Sequence, residues 1–122
     1  MKHFRAIILF ALILCGITAM AKINRDVTYT SVPDKVMQID SIDYRSDLTR
    51  VYGKLIGIPH TSNCITEISG ATDIDGVDLK RWYQFEDEGI INVEIDFPAM
   101  PANSPFVINA VTKRGNWRIS IK

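Results

Sequence analysis

The chain has 122 residues, 47% apolar and 23% charged, proportions ordinary for a globular domain. Its 14 basic residues balance 14 acidic ones. That balance argues against nucleic acid, which demands a concentrated basic face, and gives little attraction to an anionic membrane surface.

The N-terminus reads as an export signal. Lys2, His3 and Arg5 make a basic start, residues 6–17 are uncharged and apolar, and Ala19 and Ala21 fit the small-x-small rule for signal peptidase. That order marks a secretory signal peptide. The uncharged stretch 6–21 is 16 residues, shorter than the ~20 that a spanning helix needs. Cleavage before Lys22 removes 21 of 122 residues and leaves a mature chain of 101, with 12 basic residues against 14 acidic, net −2. The expectation is a periplasmic or secreted protein with no transmembrane helix in its mature chain. The alternative is a lipid anchor on Cys15. Leu12-Ile13-Leu14-Cys15-Gly16 has the outline of a lipobox, but Leu14 is larger than the residue that motif wants before its Cys.

A mature chain of this size fits one domain with a real core. Cys64 is its single thiol, so no internal disulfide is expected. Burial as a small apolar side chain is the default for such a residue.

Residues 22–26 are polar and read as a frayed end. From Val27 the apolar pattern has period two, the mark of half-buried strands. Residues 27–32 and 36–44 are rich in β-branched and aromatic residues. In the second segment Met37 and Ile39 share a phase that Ile42 and Tyr44 break, which predicts a β-bulge near Asp40-Ser41. Residues 48–58 place Thr49, Val51, Gly53 and Leu55 on one face. Shorter strands are predicted over 64–68, 79–85 and 106–112. Ile91-Asn92-Val93-Glu94-Ile95-Asp96-Phe97 alternates cleanly, with the odd positions inward and Asn92, Glu94 and Asp96 toward solvent. Trp117, Ile119 and Ile121 repeat that code. Turn signals separate the runs, and no helix-length apolar repeat occurs. The fold class predicted is all-β, an immunoglobulin-like antiparallel β-sandwich, with a small β-barrel as the alternative.

The C-terminal half has a distinctive rhythm: Gly76-Val77-Asp78-Leu79, Trp82-Tyr83-Gln84-Phe85, Gly89, the alternating strand into Phe97-Pro98-Ala99-Met100-Pro101, and Asn116-Trp117-Arg118-Ile119. Over residues 72–121 it resembles small immunoglobulin-like modules exported by gut-type Gram-negative bacteria. Some of those stand alone and some precede thioredoxin-like domains. The resemblance implies a sandwich fold and no particular activity. The chain has no Cys-x-x-Cys, so a redox role is not carried over.

Three groups of residues are candidates for chemistry. Asp73, Asp75 and Asp78 could supply hard oxygen ligands to Ca²⁺, or support a small hydrolase or metal-dependent enzyme. Against that, Asp75-Gly76 is a strong signal for a tight hairpin turn, and the spacing departs from an EF-hand. His60 and Cys64 could pair as base and thiolate, but no third orienting group is evident; a loop His beside a buried strand Cys is the plainer reading. Trp82 and Tyr83 are the candidate binding residues, for an unknown protein or glycan. Alternation puts Trp82 and Gln84 on one face and Tyr83 and Phe85 on the other; one face should be core, and in the plainer reading it is that of Tyr83 and Phe85, with Trp82 covering a sheet edge. The function expected is a non-enzymatic exported binding or structural module of the cell envelope, without cofactor.

Overall fold

Alternating apolar residues dictate strands with one dry face, and two such faces bury each other. The computed structural model describes residues 22–122. The expected signal segment and Cys15 lie outside the described residues. The described residues form ten strands: β1 (Lys22–Asn24), β2 (Tyr29–Val32), β3 (Met37–Tyr44), β4 (Leu48–Ile56), β5 (Ser62–Ile68), β6 (Asp73–Asp75), β7 (Trp82–Gln84), β8 (Ile90–Pro98), β9 (Phe106–Thr112) and β10 (Trp117–Ile121). They make two five-stranded antiparallel sheets. Sheet A runs β1-β3-β4-β8-β6, and sheet B runs β2-β10-β9-β5-β7. No described helix is long and apolar enough to cross a membrane.

The chain is therefore an all-β sandwich, not a closed barrel. Its central strands follow immunoglobulin order. Strands β3-β4-β8-β6 take the place of the A-B-E-D sheet, and β5-β9-β10 that of C-F-G. Strands β1, β2 and β7 extend the edges. Between the sheets lies one core that includes Ile42, Val51, Ile65, Val93, Ile95, Ile108 and Ile119. Trp117 and Phe97 are buried in it from opposite sheets.

The pairing confirms the bulge. Ile39 faces Gly53 and Ser41 faces Tyr52, so Asp40 is the extra residue. Met37, Ile39, Ile42 and Tyr44 then all point inward and are buried. A second register shift falls between Ile65 and Glu67 in the β5–β9 pair.

Three expectations need correction. The polar stretch at Lys22 is not frayed: residues 22–24 pair with β3 as an edge strand. Asp75-Gly76 is not a hairpin turn. Strand β6 pairs with β8 in sheet A, and the chain then crosses to β7 in sheet B. Gly76, at φ +102°, allows that departure, because a Cβ there would strike the Asn92 carbonyl. Asp96 points outward as predicted, yet it is only 7% exposed. Its neighbours on β4 and β6 cover it.

Candidate functional site

The period-two code leaves each sheet an outer face, and the two faces differ in charge. On sheet A, Asp43, Arg50, Asp96 and Asp73 form one cross-strand row, and Ser41, Tyr52, Glu94 and Asp75 form the next. Arg50 Nε donates to Asp96 Oδ1 at 2.8 Å and Nη2 to Oδ2 at 3.0 Å. This is the bidentate geometry that suits guanidinium and carboxylate. Those bonds hold the Arg50 guanidinium above its already high range. Glu94 stands 4.0 Å from Arg50 Nε, and Lys54 Nζ lies 2.6 Å from Asp40 Oδ2. Asp43 keeps a buried Oδ1 without a hydrogen-bond partner. Sheet A thus presents a mainly acidic surface.

The acidic segment does not gather its three aspartates at one point. Asp73 and Asp75 project from exposed positions of β6, one pleat apart. Asp75 lines a shallow concavity of about 370 Å³ with Asp40, Tyr52 and Glu94. Asp73 and Asp78 line another, of about 490 Å³, with Arg81. Among the described residues no three His, Cys, Asp or Glu side chains are grouped to hold a metal ion.

His60 and Cys64 also go separate ways. His60 sits at φ +65° in the loop before β5. Its Nε2 is 2.9 Å from Asp87 Oδ1, and the two side chains are 63% and 92% exposed. An ion pair so exposed contributes little. Cys64 is 2% exposed. It does not belong to the core cluster between the sheets. Its cross-strand partner is Trp82, so the thiol shares the outer face of sheet B with the indole.

That corner is the most developed feature of sheet B. Trp82 lies on the edge strand β7 and is 58% exposed. Tyr83 and Phe85 point the other way. Phe85 is buried, and Tyr83 packs edge-on against it with ring centroids 5.7 Å apart. Alternation therefore splits the aromatic run as the sequence predicted. Gly57 supports Phe85 from below, because a Cβ there would overlap the ring.

Arg114 joins Trp82 from the β9–β10 turn. Its Cζ lies 5.6 Å from the centroid of the indole, within cation–π range. Its Nε donates to the Ser62 carbonyl at 2.6 Å. The turn itself is tied down by Thr112. Thr112 Oγ1 donates to Gly115 O at 2.5 Å and accepts from Arg114 N at 3.2 Å and Asn63 Nδ2 at 3.2 Å. Asn63 Oδ1 in turn accepts from Cys64 N at 2.7 Å. Nothing in the sequence singles out Arg114, since Arg114-Gly115-Asn116 reads only as a turn.

From this corner to its opposite edge, the outer face of sheet B carries apolar and basic residues. Val32, Val107 and Val111 are exposed. Arg118 stands between Val32 and Asn109 in the ladder. Glu67, opposite Val111, supplies the acid on this face. Among the described residues Lys113, Arg114 and Arg118 make no ion pair.

Burial pushes the Tyr83 hydroxyl up to about 12, Cys64 adds to the shift, and a hydrogen bond from Asn63 opposes it. Free tyrosine titrates near ~10. The folded state thus favours the neutral phenol. The stability this contributes is fully present below pH ~10 and is lost as pH rises through the folded value. Tyr83→Phe has no proton to release there. Its melting temperature, relative to wild type, should rise as the pH moves from ~9 to ~12. Circular dichroism melts check this, and a constant difference across that range would contradict the burial of the hydroxyl.

Compared with known proteins, the chain matches no family model, no curated protein and no solved structure.

Proposed function

We propose that the mature chain is an exported, non-enzymatic binding module of the cell envelope, and that it binds through the outer face of sheet B. The observation that carries this reading is Trp82, 58% exposed on an edge strand. Large aromatics concentrate at recognition surfaces. Val32, Val107 and Val111 are also exposed on this sheet, interleaved with Arg118, Asn109 and Ser120, so the face offers both apolar area and hydrogen-bonding groups to a partner. A small hydrolase or metal-dependent enzyme built on residues 73–78 would need converging carboxylates. Asp75 lines a different concavity from Asp73 and Asp78, so the binding reading is preferred.

The test is retention of envelope components, glycans and proteins alike, on the immobilised mature protein. Trp82→Ala should release what the wild type holds. Ile90→Ala, an exposed apolar residue on sheet A, should not. Equal retention by both variants would remove the sheet B face from consideration.

A further inference from the structure

The corner of Trp82 and Arg114 carries a more specific reading, which rests on the binding function proposed above. We infer that it is a binding site for an acidic saccharide, with the sugar ring on the Trp82 indole and its carboxylate in the Arg114 guanidinium fork.

Three observations converge on this chemistry. The first is the arrangement of the pair. Arg114 Cζ lies over the indole, 5.6 Å from its centroid, at the outer part of cation–π range. Trp82 nevertheless stays 58% exposed, and its uncovered flat apolar surface suits the C–H face of a pyranose.

The second observation is the unused donors of Arg114. Its Nε is engaged by Ser62 O, and no hydrogen bond or ion pair engages its terminal nitrogens among the described residues. A guanidinium edge with open N–H groups matches a carboxylate in two parallel bonds. A hexuronic acid carries its carboxylate on the same ring that would stack, so one sugar unit can use both groups.

The third is preorganisation. Ser62 holds the head of Arg114 at Nε, and Thr112 holds its backbone. Asn63 braces Thr112 from β5, the strand that also pairs with Trp82. Ligand binding therefore has little side-chain freedom left to freeze. Lys113, Arg118 and the low density of acids on this sheet add a positive field that draws an anionic chain. The acidic face of sheet A would repel it, which fixes the side approached.

The experiment uses oligogalacturonate and its methyl ester, which share a ring and differ in charge. Binding to the mature protein is followed by tryptophan emission and by calorimetry at low salt. Trp117 is buried, so Trp82 is the exposed reporter. The acid form should bind at least ~10-fold more tightly than the ester, consistent with a charged, bidentate contact. Arg114→Gln should lose at least that factor, and Arg114→Lys should fall between. In calorimetry, Trp82→Ala should abolish binding. The Arg114 variants keep the backbone bonds of the turn, and circular dichroism confirms that they fold. Equal binding of acid and ester, lost in Trp82→Ala but unchanged in Arg114→Gln, would overturn the acidic-sugar inference and leave the binding surface standing. So would inorganic polyphosphate binding as tightly as oligogalacturonate without need of Trp82. No binding of either sugar also sinks the inference, while envelope retention judges the broader function separately.

Discussion

Val93→Asp should abolish cooperative folding, whereas Asn92→Asp, one residue away, should leave the protein almost unchanged. Val93 is buried at 3% exposure in the middle of β8, opposite Gly53 on β4. Its side chain points into the space between the sheets, among the apolar side chains of the core, and no ion pair among the described residues involves a core side chain. An unpaired carboxylate there costs several kcal/mol even after it shifts toward its neutral form. A domain of this size has about 5–15 kcal/mol in total, so one such charge consumes much or all of it. Asn92 lies on the exposed side of the same strand, where substitutions change stability by about 0.5 kcal/mol or less. Urea melts of the two variants separate the faces. Comparable losses from both would mean that the strand is out of register by one residue, since such a slip exchanges its two faces.

That contrast rests on a pattern visible in the sequence, and it shows which parts of the molecule were legible. Strands β4, β8 and β10 announce themselves because each alternates against a core, and the alternation is local information. The bulge at Asp40 was legible for the same reason, since two phases on one strand cannot share a face without an extra residue. Strands β1 and β6 were not legible. Each has three residues, too few to establish a period, and each exists because a longer neighbour offers an open edge. Asp75-Gly76 illustrates a different limit. Its residues specify a reversal or departure of the chain, but hairpin and crossover need the same local chemistry. The partner strand decides between them.

The candidate sites divide along the same line. Trp82 was visible as an aromatic on the outward phase of a strand. Arg114 was not, because its relation to Trp82 passes through the β5–β7 and β5–β9 pairings. The outward phase of Asp96 predicts solvation. Its burial depends on Arg50, 46 residues earlier in the chain.

That Arg50–Asp96 pair supports the second large effect. Arg50→Met should destabilise the protein by about 2–3 kcal/mol, somewhat below the ~3–5 kcal/mol of breaking a fully buried pair, because Arg50 keeps 27% of its side chain exposed. The loss comes mainly from what remains. Asp96 would be left with its charge, little water and neither of its two donors. Asp73 lies opposite it in the ladder, and like charges directly across a pair of strands repel. Lys54→Met is the matched control. Its partner Asp40 is a third exposed, as is Lys54 itself, so solvent compensates and the cost should stay near or below ~1 kcal/mol. The double variant Arg50→Met with Asp96→Leu should recover most of the loss, since an apolar pair leaves no orphaned charge. A double-mutant cycle from urea melts should then give a coupling of at least ~1.5 kcal/mol. It should also weaken only modestly in high salt, because screening reaches a partly buried pair poorly. If the cycle closes to zero, or Arg50→Met costs no more than Lys54→Met, then Arg50 is an ordinary surface charge. The burial of Asp96 would then have to be carried by the β6 edge alone.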